Sequence, residues 1–220
     1  MLFAEHFHDS WCVVGAQMVV LHALVHGISR PLRTIDLDIL VDVRAKSPRE
    51  ISAFLLGRGF EFDGVSADGV GHRFVRERIS IDVLSIDNIG ERTDTTTVPP
   101  ARTILVPGGR QAIGRLETVS LAIDGKAGTI PVPDWIGALV LKSRAAISIA
   151  EHRAKHLQDV ALLLALPVDI QPLLDSMTSN ERKYILQALG LLGENTWRAV
   201  AGSVDDLSGR AAAALIMAGR

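Results

Sequence analysis

Val13–Val43 reads VVGAQMVVLHALVHGISRPLRTIDLDILVDV, a strand, a helix and an acidic strand in succession. Trp11–Val14 is an apolar run that ends at Gly15, as a short buried strand followed by a turn does. Ala16–His26 holds good helix formers with no breaker before Gly27, a natural residue to follow a helix. Leu37–Val43 is a strand of branched apolar residues spaced by acids. Asp36 and Asp38 lie two positions apart on it, so both side chains leave the same face. Carboxylates about 5 Å apart repel by about 3 kcal/mol at an effective dielectric of about 20, which solvent, an arginine or a metal must offset. Magnesium, which takes carboxylate and phosphate oxygen, suits such a pair. Asp42 keeps the same parity but falls at a solvated strand end. Ahead of the acids, Gly15-Ala16 opens a helix whose first amides can meet phosphate, and Arg30, Arg33 and Thr34 occupy the loop between.

Beyond this stretch, Ser47-Pro48 starts a second helix, with Ser as cap and Pro in the first turn, that runs to about Arg58. His72–Val75 and Ile79–Leu84 are β-runs around a charged turn at Arg76–Arg78. The second carries Asp82 between apolar neighbours, costly to bury unless it faces a site or a partner. Residues 87–115 read as loop, with a threonine-rich tract at Thr93–Thr97 expected to be solvated. Pro107-Gly108-Gly109-Arg110 lacks the strand-to-helix context of a phosphate loop. Asp124-Gly125 marks a hairpin between Glu117–Ile123 and Gly128–Val132. From Pro133 the pattern is helical: Trp135–Ala150, Glu151–Leu166, then two or three helices over 170–220. The expected organisation is an α/β core at 1–131 and a helical domain at 132–220. Within the helices, Lys142 stands on an apolar turn, where it snorkels or meets an anion. Asp159 is spaced to pair with Lys155.

The ordered set resembles a family. Gly15-Ala16, then R-x-x-R-T-x-D-x-D over Arg30–Asp38, then an acid on a later strand, is similar to the nucleotidyltransferase fold of polymerase-β type. ALVLKSRAA (Ala138–Ala146) and KHLQDVALLL (Lys155–Leu164) resemble the L-x-x-x-K-x-x-A and K-D-x-x-D-L motifs of the AbiEii-type nucleotidyltransferase toxins. The likeness spans about residues 13–164. It implies an α+β fold: a small mixed sheet with flanking helices, followed by a helical region that contributes Lys142 and Asp159 to the site. It implies that Asp36 and Asp38 hold Mg²⁺, or Mn²⁺ in its place. Asp82 would be the third catalytic acid, and Gly15, Ala16, Arg33, Thr34 and Lys142 would bind the nucleotide. The family usually has Gly-Gly or Gly-Ser where this chain has Gly15-Ala16, and Asp where it has His156.

From the family also follows a role: toxin of a bacterial toxin–antitoxin or phage-defence pair, with a cognate antitoxin encoded nearby. The implied reaction moves NMP from an NTP to an acceptor hydroxyl, the tRNA 3′ end first among acceptors. Two alternatives stand beside it. One is transfer to a small molecule of aminoglycoside type or to a protein, with Asp205 and Asp206 as candidate acceptor-site acids. The other is an inactive module that binds nucleotide or partner.

Composition limits these readings. The 220 residues are 48% hydrophobic and 22% charged with net charge −2, which excludes a disordered or collagen-like chain and any global basic field. RNA contact then needs a local rim, for which Arg30, Arg33, Arg73, Arg76 and Arg78 are candidates. A lone Cys12 fits a reducing compartment. With no signal peptide and a poor candidate span at Trp11–Ile28, the cytoplasm is expected and a membrane is not. His22/His26 and His152/His156 have zinc-compatible spacing but lack the intervening glutamate of a zinc protease. Trp135 and Trp197 read as packing anchors.

Overall fold

Parallel pairing of β2 (Asp36–Val41) with β5 (Ile79–Ile86) organises the first half of the chain. The computed structural model describes residues 6–7, 10–29, 36–123, 125–202 and 204–219. Arg30, Arg33 and Thr34 therefore lie outside the described residues. β1 (Trp11–Val13) runs antiparallel to β2, while β4 (Arg73–Arg76) and β3 (Glu61–Phe62) extend the other side of the sheet in the order β1-β2-β5-β4-β3. The two-residue strand β6 (Leu105–Val106) pairs with the end of β5. A separate hairpin joins β7 (Leu116–Ile123) to β8 (Lys126–Pro133).

Helices fill the connections where the sequence carries caps. α1 (Gly15–Val25) follows β1 directly, and Gly27 closes it at φ +73°. α2 (Pro48–Leu56) begins at Ser47, whose hydroxyl accepts from the Arg49 amide at 3.2 Å. Strand alternation puts Ile39, Val41, Phe74, Ile81 and Val83 on one face of the sheet, where they are buried, and α2 packs against β5 with Ile51 and Leu55 inside. Residues 87–115 are more structured than their composition suggests. Besides β6 they contain α3 (Gly109–Ile113), and Thr97 is buried, not solvated, its hydroxyl donating to the Gly71 carbonyl.

The chain divides into two compact units, Met1–Met18 with Leu32–Pro133 and Val19–Pro31 with Asp134–Arg220. In the second, α4 (Trp135–Ser148) is capped by Asp134, which accepts from the Gly137 amide at 2.8 Å. It packs on α5 (Arg153–Leu164), where the Trp135 indole donates to the Leu163 carbonyl at 2.7 Å. Among the described residues four further helices follow, one more than the apolar pattern suggests: α6 (Ile170–Ser176), α7 (Ser179–Leu189), α8 (Glu194–Val200) and α9 (Asp206–Ala218). Trp197 is buried, as expected of a packing anchor. No helix among the described residues is long and apolar enough to cross a membrane.

Candidate functional site

Strand register gathers the acids. Asp36 stands opposite Ser80, and Asp38 opposite Asp82, across the β2–β5 pair; Asp82 in turn faces Arg73 across β5–β4. Residues directly opposite in a sheet share a face, so Asp36, Asp38, Ser80, Asp82 and Arg73 form one polar surface behind the apolar core. The Ser80 hydroxyl donates to Asp36 Oδ1. Asp82 is only 6% exposed, and Arg73 meets its carboxylate with two bonds, Nε to Oδ1 at 2.8 Å and Nη2 to Oδ2 at 2.7 Å. That fork-to-fork contact offsets the cost of burying the acid. It also raises the Arg73 pKa, with Asp36 and Asp63 adding to the effect. His72 Nε2 lies 3.8 Å from Asp82 Oδ2, yet burial lowers its pKa more than the acid raises it.

Gly15 sits where this surface meets α1. Its φ is +67°, and a Cβ there would fall 1.7 Å from Asp38 Oδ2. Only glycine allows that conformation and that approach together. The Asp38 carboxylate is thereby brought to the first turn of α1, and the Val14 amide donates to the Asp38 carbonyl at 2.9 Å. Ala16 is the second residue of the helix. Asp42 is held by Arg44 at 2.6–2.8 Å, which keeps its carboxyl below the usual range, so it caps the strand end.

Other candidates resolve structurally. Gly108-Gly109 does lie between a strand and a helix, contrary to the expectation, but the Gly108 and Arg110 amides already donate to Asp87 at 2.9 and 3.1 Å. Arg73 is engaged by Asp82, and Arg76 donates to the Arg58 carbonyl at 2.9 Å, so among the described members of the expected basic rim Arg78 alone has neither role. Asp205 caps α9 through the Leu207 amide, and Asp206 binds Arg210. Cys12 is fully buried and its thiol pKa is pushed up by that burial. Among the described residues no group of three or more His, Cys, Asp or Glu side chains is arranged to hold a metal ion.

The helical unit brings together Lys142 and Asp159. The Lys142 ammonium donates to Asp159 Oδ2 at 2.8 Å, with the residues 4% and 2% exposed. Asp159 thus takes Lys142, on the neighbouring helix, as a partner. His156 lies beside them with a buried Nδ1 that has no hydrogen-bond partner among the described residues. Burial first, then the Lys142 charge, pushes its pKa down to about 4. A histidine depressed in the folded state stabilises it fully above its unfolded pKa of about 6.5, and that stability drains away as pH falls toward 4. The urea midpoint is therefore expected to drop between pH 7 and 4, and His156→Gln should flatten that slope. An unchanged slope would show that His156 is not neutralised by the fold.

Comparison with solved structures finds the crystal structure of an antigenic nucleotidyltransferase-like protein from Paracoccidioides brasiliensis. The match has a TM-score of 0.54 at 13% sequence identity and covers 92% of this chain and 88% of that chain. The chain shares the fold of that nucleotidyltransferase-like protein. No protein-family model matches the sequence, and no curated protein matches it.

Proposed function

We propose that this protein is a magnesium-dependent nucleotidyltransferase that moves NMP from an NTP to an acceptor hydroxyl. The observation that supports it best is the register that sets Asp36, Asp38 and Asp82 on one face beside the Gly15 turn. The donor set fits magnesium: two hard carboxylates from adjacent same-face positions, with phosphate oxygens and water left to complete six-fold coordination. When bound by Asp36 and Asp38, the ion would withdraw charge from the triphosphate. Gly15 and Ala16 offer α1 amides to the phosphates, and Arg33 and Thr34 are assigned the same task by resemblance. Asp82 orients the acceptor hydroxyl. The hydroxyl oxygen forms a bond to the α-phosphorus, the bond to the bridging oxygen breaks, pyrophosphate leaves, and the proton passes to solvent.

Lys142 and Asp159 are assigned to the site by the resemblance to AbiEii-type toxins. The Lys142 ammonium donates to Asp159, so phosphate contact would require it to exchange one anion for another. The same resemblance supports a toxin role, with a cognate antitoxin as partner and tRNA as acceptor. A second reading, an inactive binding module, is favoured by the hold of Arg73 on Asp82.

Incubation with Mg²⁺, each α-³²P NTP and total bacterial tRNA tests both. Label is expected on RNA, with Asp38→Ala lowering the rate about 10³-fold or more while NTP binding weakens less. Nucleotide binding without transfer to RNA, small-molecule or protein acceptors would favour the inactive module.

A further inference from the structure

The loop between β3 and β4 borders an open concavity of about 470 Å³, lined among others by Asp63, Val65, Val70, Gly71, His72 and Arg73. It shares a wall with the acid face: Arg73 and His72 line it, and both reach Asp82, at 2.7 and 3.8 Å. The walls are fixed by backbone bonds. The Asp63 amide donates to the Arg73 carbonyl at 3.0 Å, the Gly71 amide to Arg102 at 2.9 Å, and the Arg102 amide to Gly69 at 3.0 Å. Ser66 and Val70 close the loop through the Ser66 hydroxyl and backbone, at 2.8–3.1 Å. Preformed clefts of about 300–1,000 Å³ are the common size for small-ligand sites.

The lining selects the ligand. Arg73 carries one positive charge, already answered by Asp82 and by nearby Asp36 and Asp63. Burial lowers the His72 pKa. The guanidinium in the lining is already paired with Asp82, so it is not a free charge with which to attract a phosphate. The concavity does offer an acceptor in Asp63, an imidazole that can donate or accept, and the remaining guanidinium N–H groups. Val65 and Val70 supply apolar surface for ring C–H groups. That is the complement of a hydroxylated, uncharged ring.

We infer that this concavity is the acceptor subsite, taking one sugar ring whose hydroxyl is directed at Asp82. The inference rests on the transfer reading for its purpose, and the ring is either the 3′-terminal ribose of an RNA or a free nucleoside. Asp63 and Val65 are exposed, so Asp63→Asn and Val65→Trp alter the lining without disturbing the core. The full chain, labelled with ¹⁵N-histidine and assigned with His72→Gln, is titrated with adenosine and separately with a single-stranded RNA tetranucleotide.

The His72 ring signals are expected to shift, with about tenfold or greater weakening by Val65→Trp. In the transfer assay both variants should raise the acceptor KM and leave the NTP KM unchanged. A shift with both probes supports a pocket that reads the sugar, and a shift with RNA alone supports a chain end as its source. No shift with either, or an acceptor KM indifferent to both variants, overturns the inference. A shifted His72 in a protein that transfers nothing overturns the transfer reading and leaves the sugar site standing.

Discussion

Replacing Gly15 by alanine is expected to cut nucleotidyl transfer about 10²-fold or more and to cost about 1–3 kcal/mol of stability. Two effects coincide at this residue. Its φ of +67° is one that a side chain resists, at about 1–2 kcal/mol. Its added Cβ would also overlap Asp38 Oδ2 at 1.7 Å, so the carboxylate must swing away from the first turn of α1. Gly27 separates the two. It has a φ of +73° with nothing within 4 Å of the place an added methyl would take, so Gly27→Ala should show the strain and keep the activity. Urea denaturation and the transfer assay on both variants measure this. Equal activities would mean that the position of Asp38 does not matter to the reaction.

The second large effect is in the helical unit. Lys142→Met removes the ammonium that meets the buried Asp159 carboxylate and is expected to destabilise by about 3–5 kcal/mol. Adding Asp159→Leu should recover most of that loss, because two apolar groups of similar volume replace both charges. A denaturant double-mutant cycle reads the coupling. If Lys142→Met alone stayed within about 1 kcal/mol of wild type, the pair would not be a buried ion pair in solution. If the double variant were stable and still transferred nucleotide, Lys142 and Asp159 would be a packing device and not part of the site.

The elements that position the acid face are legible because local chemistry marks them. Gly15 ends an apolar run, Gly27 ends a run of helix formers, and Ser47-Pro48 is a cap followed by a first-turn proline. The same-face placement of Asp36 and Asp38 follows from strand alternation alone. What joins them to Asp82 is parallel pairing across 44 residues between Asp36 and Ser80, and nothing local encodes which strands will be neighbours. The Arg73–Asp82 contact is within reach of the sequence. The turn at Glu77-Arg78 has two residues, and counting outward from Arg76 and Ile79 arrives at Arg73 opposite Asp82.

The Lys142–Asp159 contact is harder to read. It joins two helices whose rotation is set by packing, and a local partner at Lys155 offers a simpler account. Residues 87–115 mislead for another reason. Glycine, proline and threonine there serve a buried hydroxyl at Thr97 and a short helix start at Gly108, roles that composition shares with open loops.

In the proposed reaction the carboxylates Asp36, Asp38 and Asp82 direct attack at the α-phosphorus. Parallel reactions with α-³²P and γ-³²P forms of one NTP, with Mg²⁺ and RNA present in both, distinguish this attack from transfer of the γ-phosphoryl group. α-Label is expected on the acceptor and γ-label in released pyrophosphate, both lost in Asp38→Ala. Transfer of the γ-label to the acceptor, or α-label transfer that survives Asp38→Ala, would overturn this assignment.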